Sequence, residues 1–268
     1  MAAPLWLHAL LGWRPATKKG MPRCQRVLNE AIAPNIADIG SDESLRIAGD
    51  IYQQLGIPRG RKGADIGDAS QDNRNHGTPF EIGVETDIRR SLSEQAPSRG
   101  WTVARKGDAS DYAQFHHLGE LQSLLEDHPT LRTTLGRDYH IKTDVLVGVD
   151  PPQAGRLPFL HAAISCKWSI RSDRVQNVRH EFATLVRHRR GRLPHLVLVT
   201  IEPSPSRLVS IGRGTGEVDA VYHLLYEELD RAVKTCGTTA RQQSEWAELV
   251  QQRRVKPFHE LVTDLILS

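Results

Sequence analysis

Between residues 139 and 201 the periodicity of the chain changes repeatedly, and this succession constrains the fold more than any other feature. Tyr139-His-Ile-Lys-Thr-Asp-Val-Leu-Val alternates in the sense of a β-strand. Phe159-Leu-His-Ala-Ala-Ile-Ser-Cys-Lys-Trp is a second strand candidate, apolar until its charged end. From Ser172, a capping residue, to Arg189 the spacing is helical, with Val175, Val178, Phe182 and Leu185 as the apolar face. His195-Leu-Val-Leu-Val-Thr-Ile is then a short apolar run of the buried-strand kind. Strands alternating with helices in mid-chain, and helical patterns at both ends, predict an α/β fold: a mixed central sheet flanked by helices.

The flanking segments read as follows. Ser41-Asp-Glu-Ser opens a helical pattern carried by Ile47, Ile51 and Leu55, which Gly56 and Pro58 stop. Arg59 to Gly77 reads as a long polar loop, and such loops are often functional. Thr78 suits an N-cap, Pro79 the first helical position, and Glu81 completes a capping box. Phe80, Val84, Ile88 and Leu92 make that helix's buried stripe. Trp101-Thr-Val-Ala is a short strand, and Asp111 to Glu126 a helix with Phe115, Leu118, Leu121 and Leu125 inward. Val218 to Val233, Thr239 to Gln251 and Pro257 to Leu267 read as helices.

Composition narrows the class. Of 268 residues 39% are hydrophobic, which excludes wholesale disorder. No apolar run reaches membrane-spanning length. A net charge of +3 permits a polyanionic partner only if the positive charge is local. Cys24, Cys166 and Cys236 form no C-x-x-C pair, which argues against structural zinc and for free thiols in a reducing cytoplasm. Residues 1–27 read as an N-terminal extension before a single domain over 28–268. Its apolar run Pro4 to Trp13 lacks the basic flank of a signal segment. Two readings stand: a start at Met21, or a short docking helix. Both leave the segment outside the fold.

Two charged residues end or interrupt apolar strands. Asp144 lies in Thr143-Asp-Val-Leu-Val and, taken alone, reads as a strand-end carboxylate facing water. Lys167 closes Ala-Ala-Ile-Ser-Cys-Lys, 23 residues later, one turn and one strand away. An Asp and a Lys on adjacent strands suit a metal-dependent nuclease, the Asp as hard oxygen ligand and the Lys at the attacking water or phosphate. Such sites usually carry an acid two residues before the Lys, where this chain has Ser165. Glu181 on the following helix is the replacement candidate. Arg171-Ser-Asp-Arg174 lies at the strand-to-helix junction; its arginines suit guanine and its aspartate cytosine, or all three are ordinary surface charges. The basic block Arg187-His-Arg-Arg-Gly-Arg192 suits phosphate contact or a helix end.

The run Leu160-His-Ala-Ala-Ile-Ser-Cys-Lys-Trp-Ser-Ile-Arg-Ser-Asp-Arg174, with Gln176-Asn, Glu181 and Gly191-Arg-Leu-Pro-His195, resembles the NgoMIV restriction endonuclease family. So do Glu202-Pro-Ser-Pro-Ser-Arg207, Gly214-Thr-Gly-Glu217 and Val221-Tyr-His223. The resemblance implies the PD-(D/E)xK nuclease fold and a type II restriction endonuclease acting on double-stranded DNA. It further implies two Mg2+ per site, a homotetramer of back-to-back dimers, and cleavage of GCCGGC after the first G to leave 5′-CCGG ends. A cognate DNA methyltransferase would protect the host. By position, Asp144, Lys167, Glu181 and Glu81 would form the active site, with the main-chain carbonyl of Cys166 as a further metal ligand. Arg171, Asp173 and Arg174 would read the central CCGG; Arg207, Asp38 and Ser41 would read the outer G·C pairs. The family's minor-groove glutamine is replaced by Arg74, and the segment between Asp144 and Ser165 is shorter by about one loop. The rival readings are a catalytically inactive, sequence-specific DNA-binding protein and a non-specific nuclease of the same fold.

Overall fold

The computed structural model describes residues 3–63, 77–128, 130, 133, 141–151, 153–213, 216–236 and 239–268. Among them a six-stranded sheet runs in the order β3 (Trp101–Arg105), β4 (Val145–Val149), β5 (Phe159–Lys167), β6 (His195–Thr200), β7 (Ala220–His223) and β8 (Val255–Pro257). The pairs β3–β4 and β4–β5 are antiparallel, whereas β5 through β8 are parallel. This is the expected mixed sheet flanked by helices. The central strands are apolar on both faces because helices cover both, so β5 shows no inside–outside alternation: Leu160 to Cys166 are all buried.

Helix α3 (Asp42–Gln54) starts where expected, its N-cap Ser41 accepting from the Ser44 N–H at 3.2 Å. It ends at Gly56, whose φ of +64° suits a residue without Cβ. Helix α4 (Gly77–Gln95) buries the predicted stripe of Phe80, Val84, Ile88 and Leu92. It already includes Gly77, so Thr78 lies inside the first turn rather than at the cap. Helix α5 (His116–Asp127) begins later than expected, after a single 3-10 turn at Ala109–Asp111. Helix α6 (Ser172–His188) buries Val175, Val178, Phe182 and Leu185, but Arg171, not Ser172, is its N-cap residue. Tyr139, His140 and most of the polar loop, with Arg74, lie outside the described residues.

One helix expectation fails and one helix is unforeseen. Val218 to Val233 is not one helix: Ala220–His223 is the buried strand β7, and the helix, α8, is Tyr226–Thr235. Short apolar runs satisfy both periods, and neighbouring strands decide between them. The helix α7 (Pro205–Gly212) between β6 and β7 was not expected. It is followed, after β7 and α8, by α9 (Ala240–Gln251) and α10 (Glu260–Leu267).

The N-terminal run is also not set apart. Helix α1 (Leu5–Leu10) and strand β1 (Trp13–Pro15) bury Leu7, Leu10, Leu11 and Trp13 in the same core as the central sheet. Strand β1 pairs antiparallel with β2 (Ile32–Pro34) around helix α2 (Met21–Leu28), which buries Cys24. An apolar run of this kind resembles a detachable segment only until the surface that receives it is known. None of the described helices is long and apolar enough to cross a membrane.

Candidate active site

The parallel strands β5 and β6 both finish at the same edge of the sheet, where α/β folds place their ligands. Lys167 is the last residue of β5. The antiparallel partner β4 begins at Val145, opposite Ile164, so Asp144 just before it arrives at that same edge. Its Oδ2 accepts from Lys167 Nζ at 2.6 Å, the Cys166 backbone N–H at 2.7 Å and Ser165 Oγ at 3.2 Å. The backbone around it is held too: the Lys106 N–H donates to the Asp144 carbonyl at 3.0 Å, with Lys106 at φ +57°.

Glu181 reaches the same edge from α6. It is half-buried, and burial pushes its carboxyl up to about 7, against the pull of Lys167 and with the repulsion of Asp144 added. Its Oε1 and the nearby Thr143 hydroxyl interact electrostatically, yet neither closes a hydrogen bond among the described residues. Glu81 comes from α4, just after its first turn. Burial, then the Asp144 charge, raises its pKa, while Lys106 and Arg105 oppose this. Arg105 Nη1 donates to Glu81 Oε2 at 3.4 Å. The Cys166 thiol is driven well above its ordinary value by burial and by the charges of Asp144, Glu81 and Glu181, only partly offset by Lys167. Four elements thus bring Asp144, Lys167, Glu181 and Glu81 around the end of β5. Arg105 and Lys106 complete the surroundings; in the sequence their only signal is a basic pair leaving the Trp101 strand.

The donor set fits a hard divalent cation. Its carboxylates repel one another, one carries a buried oxygen without a donor, and cation binding relieves both conditions. No group of three or more His, Cys, Asp or Glu among the described residues is gathered tightly enough to cage a metal. The lysine holds Asp144 Oδ2 in that arrangement.

The predicted recognition residues form a strip beside this edge. Arg171 caps α6 and Asp173 lies in its first turn, both exposed. Arg174 folds back, Nη1 donating to the Ser169 carbonyl at 3.1 Å and Ser169 Oγ at 3.0 Å. Arg207 on α7 ion-pairs with Asp38, whose Oδ1 accepts from the Gly40 N–H at 2.8 Å. Burial opposes ionisation of Asp38, but Gly40, Arg207 and Arg171 outweigh it and lower its pKa. Ser41 is engaged as the α3 cap. The basic block begins at the far end of α6, roughly 25 Å from Arg171 at 1.5 Å per residue.

Glu202 carries no evident role in the sequence, and the structure gives it one. Fully buried after β6, it accepts from the Ile170 N–H at 2.7 Å, the Ser204 N–H at 3.1 Å and Arg207 Nη1 at 3.4 Å. It ties the loop before Arg171 to the helix that carries Arg207. Burial raises its pKa to about 7 despite these partners.

A mixed six-stranded sheet flanked by helices, with an Asp and a Lys meeting at the end of its central strand, is the architecture of the restriction-endonuclease class of α/β fold. The model of the NgoMIV restriction enzyme family matches residues 23–154 and 152–267. The "Type II restriction enzyme NgoMIV" of Neisseria gonorrhoeae is 39% identical over 194 residues, which is 62% of this chain and 68% of that protein. The chain belongs to the NgoMIV restriction enzyme family, and so to the type II restriction endonucleases, whose substrate is DNA.

Proposed function

We propose that this enzyme cuts double-stranded DNA at the palindrome GCCGGC, after the first G, leaving 5′-CCGG overhangs, with Mg2+ as its cofactor. The meeting of Asp144, Lys167, Glu181 and Glu81 around the end of β5 carries the reading. Asp144, Glu181, Glu81 and the Cys166 carbonyl would hold the metal, two ions per site. Bound there, it supplies a lowered pKa for the attacking water and neutralisation of phosphate charge.

The side chains do the rest. Lys167, held on Asp144, points its ammonium at the scissile phosphate and donates to a non-bridging oxygen as water attacks in line and the 3′-oxygen leaves. Glu181, with its affinity for protons near neutrality, must be ionised to serve as a ligand. Arg171, Asp173 and Arg174 read the central CCGG in the major groove, where Arg pairs with guanine O6 and N7 and Asp accepts from cytosine N4. Asp38, Ser41 and Arg207 read the outer pairs, and Arg74 takes the minor-groove position. Arg174 and Arg207 are held on protein partners here, so DNA must replace those bonds. The assembly is a homotetramer of two dimers acting in the cytoplasm, with a cognate DNA methyltransferase as its counterpart.

A plasmid digest with Mg2+, followed by run-off sequencing of the ends, tests this. Cuts only at GCCGGC after the first G are expected. Cuts at another CCGG-containing site overturn the outer contacts alone. Specific binding without cleavage favours an inactive DNA-binding protein, and cuts at unrelated sequences a non-specific nuclease.

A further inference from the structure

The apolar run before Trp13 has no part in the chemistry above, and it precedes residue 23, where the family match begins. Its place in the fold is nevertheless beside the site. The Trp6 ring meets Phe80 edge-on with centroids 6.0 Å apart, and Phe80 meets Trp168 edge-on at 5.7 Å. Phe80 is the chain neighbour of Glu81, and Trp168 that of Lys167. One aromatic column therefore joins the N-terminal helix to the neighbours of two site residues on different elements. Two features seat Trp6. Its Nε1 donates to Asp87 Oδ2 at 2.6 Å. Gly83 leaves it room, since a Cβ there would lie 2.2 Å from the indole.

A second tie runs through Asn35. Its Nδ2 donates to the Leu10 carbonyl at 2.9 Å and its backbone N–H to the Gly12 carbonyl at 2.8 Å. Its Oδ1 accepts from the Tyr52 hydroxyl at 2.5 Å, and its carbonyl from Trp168 Nε1 at 3.2 Å. Every polar group of Asn35 is used, and three of its four bonds join the N-terminal run to Trp168.

We propose that residues 4–16 are a positioning strap for the nuclease site, with Trp6 as its contact: by closing the Trp6–Phe80–Trp168 column it holds the Glu81 turn of α4 against the Lys167 end of β5. This rests on Glu81 and Lys167 belonging to the active site. Nothing covalent sets α4 against β5, and a misplacement of about 1 Å between catalytic groups costs on the order of 100-fold in rate.

The test compares the full-length parent with Trp6→Ala, Trp6→Phe and Asp144→Ala. Thermal unfolding, binding in Ca2+ to a duplex carrying the site the parent cuts, and the single-turnover cleavage rate in Mg2+ are measured for each. Trp6→Ala is expected to stay folded at the assay temperature and bind within about threefold of the parent. Its cleavage is expected to be about 10- to 100-fold slower. Trp6→Phe recovers most of the rate. A folded Trp6→Ala protein that cleaves within about twofold of the parent, while Asp144→Ala is inactive, overturns the strap and leaves the site intact. Loss of binding and cleavage in equal measure also overturns it, because the segment then serves stability alone. Asp144→Ala cutting like the parent overturns the site and the strap together. Should Trp6→Ala fail to fold, Asn35→Asp, which removes the donor to Leu10, is read against the same expectations.

Discussion

Asp144 accepts three bonds through one oxygen, and Lys167 supplies the shortest of them. Asp144→Ala is therefore expected to abolish cleavage and leave specific binding, because it removes a proposed metal ligand and no proposed base contact. Gel shift in Ca2+ beside plasmid cleavage in Mg2+ checks this, and Lys167→Ala should behave alike. Asp173→Ala, at an exposed first-turn position, should lose about 1–3 kcal/mol of discrimination at the cytosine proposed to pair with it. Cleavage kinetics on single-substituted sites measure that loss. Glu181 gives a pH signature. Its folded pKa is about 7 against an ordinary 4.5, so the native state binds more protons than the unfolded chain between those values. The contribution of Glu181 to the stability of the metal-free protein should accordingly fall as pH rises through that window, by up to about 1.4 kcal/mol for each pH unit crossed, while the buried His161 and His223, held near 4, act in the opposite sense. Melting curves of the parent and of Glu181→Gln from about pH 4.5 to about 7.5 isolate it: the parent's stability relative to the variant falls as pH rises.

At the scale of elements, the carboxylate of Glu202 couples the Ile170 loop, which leads into Arg171, to α7, which carries Arg207. Its two oxygens accept from two backbone N–H groups and Arg207, whereas a glutamine has only one acceptor. Glu202→Gln should leave a buried donor unpaired, costing about 1–3 kcal/mol in denaturant unfolding and weakening specific binding more than the metal-dependent step. Legibility in the sequence also divides at this scale. Helices α3, α4 and α6 were legible because a buried stripe repeats within one segment, as Phe80, Val84, Ile88 and Leu92 do. Strand β7 was not, because Ala-Val-Tyr-His is too short to show a period and becomes a strand only by pairing with β6 and β8.

At the scale of the whole molecule the question is how many chains act together. The proposed assembly is a homotetramer, although the resemblance makes the segment between Asp144 and Ser165 shorter by about one loop in this chain. We expect the tetramer to persist. A plasmid with two sites should then be cut several-fold faster than one with a single site, and sedimentation of the enzyme with cognate duplex should give a four-chain particle. Equal rates on the two plasmids mean that a dimer acts alone.

The sequence by itself determined the succession of strands and helices from Phe159 to Ile201, and with it a mixed sheet. It also determined the Ser-Cys-Lys and Arg-Ser-Asp-Arg runs that place a lysine, two arginines and an aspartate at one strand-to-helix junction. These are properties of contiguous residues, set by periodicity and spacing. Only the tertiary structure decided that Asp38 pairs with Arg207 across 169 positions, and that Glu81 meets the field of Asp144. It also decided that Leu7 and Trp13 belong to the core. Those outcomes depend on which surfaces the sheet brings together, and burial energy is a property of the assembled contact rather than of either segment that makes it.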